Sequence, residues 1–196
     1  MAEPSKNWLL ISLSTGGSST LRVHCWRKLR SLGALYIQSS VCLLPERPET
    51  TRAVARLLDR VNRGGGSSRV LPIAITDDAE ERAVVESFRA ERADEYQEVC
   101  SRTPAFLEEI AMERARGRAT YTELEESEAD LERLRTWLKR IQARDYFGAA
   151  GRAEAETAIE RCAAELAAFE AEAMAAELAP ERSEEPKPKR LRAVDD

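Results

Sequence analysis

The order of short patterns between Asn7 and Pro45 restricts the folds open to this chain more than any other feature. Residues Trp8 to Leu13 form a short apolar run bounded by turn residues, the signature of a largely buried strand. A polar turn follows, and a hydroxyl at Ser18 or Ser19 is placed to accept from an otherwise unpaired amide in the first turn of a helix. Leu21, Cys25, Leu29 and Leu32 then recur at helical spacing within Thr20–Leu32. Gly33 ends that helix, because glycine takes the left-handed C′ conformation without a Cβ clash. Two further runs, Ala34–Gln38 and Val41–Leu44, are joined hairpin-fashion by Ser39 and Ser40. The unit reads strand, helix, strand, strand.

A second helix is expected over residues 49–63, with Val54, Leu57, Leu58 and Val61 on its buried face. The Gly64-Gly65-Gly66 run stops it, and Arg69–Thr76 supplies a fourth strand. Pro72 has no amide to donate, so this strand belongs at an edge or is bulged there. The order β-α-β-β-α-β predicts an α+β, ferredoxin-like domain over residues 7–76, with two helices on one face of an antiparallel sheet.

From Asp77 the chain turns charged, alanine-rich and helical, and residues 77–178 are expected to form a helical domain. One helix runs to about Ser101 with Val84, Val85, Phe88, Tyr96 and Val99 inward, and Thr103-Pro104 starts another, since proline suits a first turn. Gly117 breaks the pattern. Thr120 or Thr122 caps a long helix in which Leu124, Leu131 and Leu138 lie seven apart, as do Leu134 and Ile141. Beyond a break at Tyr146–Gly151, a last helix repeats the spacing with Ile159, Cys162, Leu166, Phe169 and Ala173. These two helices are expected to form an antiparallel hairpin. Residues 179–196 carry too little apolar content to order themselves and read as a disordered polar tail.

Charge is unevenly spread. Residues 1–75 hold eleven lysines and arginines against four acids, whereas residues 76–180 hold 14 against 26. A basic front and an acidic back suggest modules with different partners. No apolar run approaches the roughly 20 residues that span a bilayer, and the start lacks a signal-peptide pattern. A cytoplasmic protein with no membrane partner is the expectation. The four cysteines, Cys25, Cys42, Cys100 and Cys162, are dispersed without a Cys-x-x-Cys pair, which predicts reduced thiols, mostly buried, and no metal site.

Catalytic chemistry is poorly supplied, and no enzymatic activity or cofactor is expected. The single histidine, His24, adjoins Cys25, but neighbours on a helix point about 100° apart and do not align as base and nucleophile. His24 reads as a surface or half-buried residue. The arginines say more. Arg52, Arg56, Arg60 and Arg63 fall along one side of the second helix, and the first helix adds Arg22, Arg27, Lys28 and Arg30 around Trp26. On a shared face of the sheet these eight cations would pool into one positive surface, suited to DNA phosphates or a small oxyanion, unless they only solvate the helices. The tail's Lys187-Pro-Lys-Arg-Leu-Arg192 would add non-specific affinity at most.

Four stretches carry a family resemblance: Trp8 to Ser14, Leu21 to Gln38, Val41 to Pro45, and Leu134 to Gly148 with its Arg144-Asp145-Tyr146-Phe147-Gly148 signature. Together they resemble the N-terminal domain of the chromate-resistance regulator ChrB over roughly residues 7–178. The front unit is also similar to the central domain of phenylacetate-type repressors and to CRISPR-associated endoribonucleases. The endoribonuclease likeness implies an acidic residue at the end of the first strand, where this chain has Ser12-Leu13-Ser14. Longer members of the ChrB family continue into a second domain, whereas this chain continues into its polar tail. The resemblance implies a bacterial transcriptional regulator of a chromate-efflux operon. The expected partners are therefore DNA, contacted through the eight cations, with chromate or another oxyanion as effector. The other reading is an accessory or oxyanion-sensing module that forms a homodimer or docks on a partner. Arg144 and Asp145 are expected to lock the hairpin turn by a local ion pair.

Overall fold

The computed structural model describes residues 7–116 and 121–178. Those residues form an α+β structure with nine elements among them: β1 (Trp8–Ser14), α1 (Ser19–Ser31), β2 (Leu35–Gln38), β3 (Val41–Pro45), α2 (Pro48–Arg63), β4 (Ser67–Ile73), α3 (Asp78–Arg116), α4 (Tyr121–Gln142) and α5 (Arg152–Leu178). The four strands form one antiparallel sheet in the order β2-β3-β1-β4. Pro72 stands on the edge strand β4, opposite Leu9, where a missing amide disrupts least.

Strand alternation sorts β1 into two apolar faces. Leu9 and Ile11 enter a core with Leu21, Cys25 and Leu29 of α1 and Val54, Leu57 and Val61 of α2. Trp8 points the other way and, with Leu43, meets Val85 and Phe88 of α3. Its indole stacks on Phe88 at 5.6 Å between centroids and tilts against Phe147 at the same distance. Both faces of the sheet are therefore covered there, which explains why β1 is continuously apolar from Trp8 to Ile11.

Local caps behave as their chemistry dictates. The Ser18 hydroxyl accepts from the Leu21 amide at 3.3 Å, and Gly33 takes φ +70° at the end of α1. A Cβ on Gly33 would sit 2.8 Å from an Arg92 guanidinium nitrogen and 3.1 Å from the Arg144 Cβ, so another side chain would add displacement of these arginines to the strain of a positive φ. Thr50 is fully buried in α2; its hydroxyl donates to the Pro45 carbonyl at 2.7 Å and accepts from the Arg47 amide at 3.0 Å.

The expected break at Thr103-Pro104 does not occur. α3 runs continuously for 39 residues with Pro104 inside it. Proline leaves the Cys100 carbonyl without its usual helical donor, and the Thr103 hydroxyl donates to that oxygen at 2.9 Å. Burial of Val99, Thr103 and Phe106 on the packed side holds the turn together. Tyr96, Val99 and Ile110 of α3, Leu131, Leu138 and Ile141 of α4, and Ile159, Cys162, Leu166 and Phe169 of α5 form one core. Thr122 lies inside α4 rather than capping it. The expected break at Gly117, the alternative cap Thr120 and the tail from 179 lie outside the described residues.

Among the described residues, no helix is long and apolar enough to cross a membrane. Cys25, Cys42 and Cys162 are buried and Cys100 is half-buried, all four as free thiols. Burial pushes the Cys42 thiol up to about 12 and raises Cys25 and Cys162 as well. A colorimetric thiol reagent at pH 8 is accordingly expected to titrate Cys100 alone in the folded protein and all four cysteines after denaturation. Rapid reaction at Cys25 or Cys42 in the folded state would contradict this packing.

Candidate anion-binding face

α2 ends where α1 begins, because the two connecting loops pass close to one another. An added Cβ on Gly66 would stand 2.6 Å from the Ser14 carbonyl oxygen and 2.8 Å from a Val61 methyl, so only glycine permits this approach. The closeness brings the C-terminal half of α2 beside the first turns of α1. Between them lies an open groove of about 540 Å³, lined by Arg56, Arg60, Arg63 and Gly64 on one side and by Ser18, Thr20, Leu21 and His24 on the other.

Three features make the groove electropositive. Arg56, Arg60 and Arg63 follow the i, i+4, i+7 row of α2 and all reach solvent. The first turn of α1 holds no acidic residue, so the positive end of its dipole is uncompensated there. Among the described residues, none of the three arginines is ion-paired with a carboxylate; Arg63 Nε donates only to the Asp59 backbone carbonyl at 3.2 Å. A cluster of guanidinium groups without carboxylate partners is a ready donor set for tetrahedral oxyanions, which it can grip two oxygens at a time.

The remaining cations of the first and second helices are exposed but do not line this groove. Arg22 borders a separate cleft on the far side of α1. Arg30 lies over the Trp26 ring at 5.4 Å and shares a depression with Glu91, Asp94, Glu95 and Glu98 of α3. Arg27, Lys28 and Arg52 project to solvent elsewhere on the two helices. His24 enters the groove although its sequence position drew no functional reading. The available signal was its place four residues after Thr20 and three after Leu21, on the side of α1 that lines the groove. Among the described residues, no group of three or more His, Cys, Asp or Glu side chains could hold a metal ion.

The Arg144-to-Gly148 segment is used differently from the expected local lock. Arg144 pairs with Glu95 of α3 at 2.8 Å instead of with Asp145. Asp145 accepts from the Tyr96 hydroxyl at 3.1 Å and from the Ala149 amide at 3.0 Å. Burial first, and the Asp145 carboxylate second, raise the Tyr96 phenol well above its ordinary value, so it stays a donor. Tyr146 reaches back to the end of α1, donating to the Leu32 carbonyl at 2.7 Å. Arg47, at the start of α2, donates to the Tyr146 carbonyl at 2.9 Å and lies over its ring at 4.9 Å. Arg89 donates to the Phe147 carbonyl at 3.0 Å, while the Phe147 ring packs on Trp8 and Phe88. These residues face inward and join the sheet to the helices; the anion-accepting groove lies apart from them.

No curated protein and no solved structure matches this chain. Residues 22–180 match the family described as protein ChrB, N-terminal, a span that includes most of α1, all of α2 and the whole Arg144-to-Gly148 segment. With four-fifths of its length inside that match, the chain belongs to the ChrB N-terminal family.

Proposed function

We propose that this chain is the DNA-contacting part of a chromate-responsive transcriptional regulator. Membership of the ChrB family associates it with chromate resistance. The observation that carries the DNA reading is the convergence of Arg56, Arg60 and Arg63 with His24 beside the positive end of α1, whose first turn holds no acidic residue. Arg22, Arg27, Lys28, Arg30 and Arg52 extend this charge around the two helices as secondary phosphate contacts. The reading assigns no catalytic step to the chain and places it in the cytoplasm, where its ligand is. In the same reading, residues 7–76 are a ferredoxin-like unit, supported by the β2-β3-β1-β4 order. α4 and α5 are the arms of an antiparallel hairpin, supported by the Gln142–Glu156 hydrogen bond of 2.7 Å near their connection.

A fluorescence-anisotropy titration with a labelled 20-base-pair duplex at several salt concentrations tests this. Counterion release predicts a slope of log K against log salt of roughly −3 if three phosphates are held, and roughly −7 if all eight cations take part. No binding at low salt, or binding indifferent to salt, would sink the reading. A second reading rests on the guanidinium cluster itself: Arg56, Arg60 and Arg63 also suit one small oxyanion, chromate included, on a module that dimerises or docks on a partner. Calorimetry with chromate and sulfate, together with the solution mass, separates the two.

A further inference from the structure

A second recess lies on the other flank of α1 and shares no lining residue with the arginine groove. It holds about 590 Å³, within the usual size range of small-molecule sites. Its walls are mainly apolar and aromatic, with Val23, Trp26 and Leu29 from α1, Tyr36 from β2 and Cys42 from β3, while Ser14, Thr15, Ser39 and Ser40 add neutral polar groups. Trp26 and Val23 stand at its rim with 48% and 45% of their surface exposed, a contiguous apolar edge on which only Arg30, over the Trp26 ring, is seen to pack among the described residues. One lining residue carries a charge, Arg22, at the mouth beside the Gly16-Gly17 turn.

From this geometry we infer that the cleft is a binding site for a small, mainly apolar organic monoanion, an aromatic or acyl carboxylate. The apolar body would lie between the Trp26 ring and the Leu29–Tyr36 floor, and the carboxylate would pair with the Arg22 guanidinium. The charge pattern selects this class. A dianion or bare inorganic oxyanion would have to exchange its hydration for one cation and a few neutral hydroxyls beside a mainly apolar wall, and a cationic ligand would face Arg22. The floor adds no compensating charge. Burial is the leading cause that holds the Cys25 thiol above its ordinary range and pushes Cys42 and Tyr36 up to about 12, so all three are neutral at physiological pH. A neutral ligand of the same shape would fill the walls and leave Arg22 unused. The site does not depend on whether the arginine groove binds DNA.

The test uses 2-naphthoate as probe, with neutral 2-naphthylmethanol and sulfate as comparisons, on the full chain. Calorimetry is expected to give saturable binding of 2-naphthoate at one site, at least tenfold weaker for the alcohol, and none for sulfate. In nitrogen-15 NMR the Trp26 indole signal should shift, while those of Trp8, in the sheet core, and Trp137, in the helical core, stay in place. Arg22→Gln, an exposed change that leaves the circular dichroism intact, is expected to lower 2-naphthoate affinity roughly tenfold and leave the alcohol unaffected. Equal binding of acid and alcohol, unchanged affinity in Arg22→Gln, sulfate shifting the Trp26 indole, or no binding at millimolar probe would each overturn the proposal.

Discussion

The triple variant Arg56→Gln, Arg60→Gln, Arg63→Gln is expected to bind a 20-base-pair duplex a few hundredfold more weakly than the parent at about 0.1 M salt. The magnitude follows from counterion release. Each phosphate neutralised contributes close to one unit of salt exponent, so losing three contacts removes roughly 2.7 units of slope and the affinity that accompanies it. The fold should be untouched. All three side chains are exposed, and none is ion-paired among the described residues, so their replacement breaks no buried interaction. The thermal midpoint therefore moves by roughly 3–6 °C at most, since exposed changes of this kind usually move stability by no more than about 0.5 kcal/mol each. Two comparisons sharpen the reading. Replacement of the three by lysine should preserve most of the salt slope but lose the two-pronged grip of guanidinium. Arg161→Gln, an exposed change on α5, should do nothing. If the triple variant binds like the parent, the groove is not where phosphates are held.

Glu95→Ala is expected to destabilise the protein by about 3 kcal/mol without altering the groove. Glu95 is the shared partner of two arginines from different parts of the chain. Its carboxylate lies 2.9 Å from Nε of Arg92 and 2.8 Å from an amino group of Arg144. Arg92 is only 4% exposed, and its NH1 has no hydrogen-bond partner among the described residues, so it depends on nearby negative charge rather than on water. Truncation leaves it with Glu91, a half-exposed acid at 3.0 Å, and leaves Arg144 without its carboxylate. An uncompensated buried charge costs far more than an exposed pair contributes. For a chain of this size the loss corresponds to a fall of roughly 6–12 °C in the thermal midpoint, measurable by calorimetry. Glu91→Ala, removing the more exposed partner, should cost much less. A Glu95→Ala midpoint within a degree or two of the parent would mean the bridge is incidental to stability.

The front unit was legible in the sequence because its signals are local. Ser18 caps α1, Gly33 ends it, the two-residue turn at Ser39-Ser40 separates β2 from β3, and Pro72 marks an edge strand. Each of these follows from one residue's own conformational or hydrogen-bonding limits. What could not be read locally was what each face would meet. The proline signal at Pro104 is real, but Thr103 supplies the missing donor and burial on both sides outweighs the break. Arg144 and Asp145 sit adjacent in sequence, yet their partners Glu95 and Tyr96 are 49 residues away. The covering of the second sheet face by Val85, Phe88 and Phe147 is likewise a long-range fact.

The candidate site shows the same division. Three of the eight cations converge as their row along α2 suggests. Arg22 and Arg30 do not join them, because they share a row with Trp26 on the flank of α1 that faces away from α2. Summed charge suggested one large patch. The angular positions around α1 divide it into a groove and a separate cleft.

The most direct test of the account is to map where a duplex touches the molecule. With isotope-labelled protein and a 20-base-pair duplex in low salt, the arginine side-chain signals of Arg56, Arg60 and Arg63 should shift first and most, along with the His24 ring and the Gly64 amide, and the shifts should fade together as salt is added. Perturbations centred instead on α4 and α5, or none along the facing sides of α1 and α2, would contradict it.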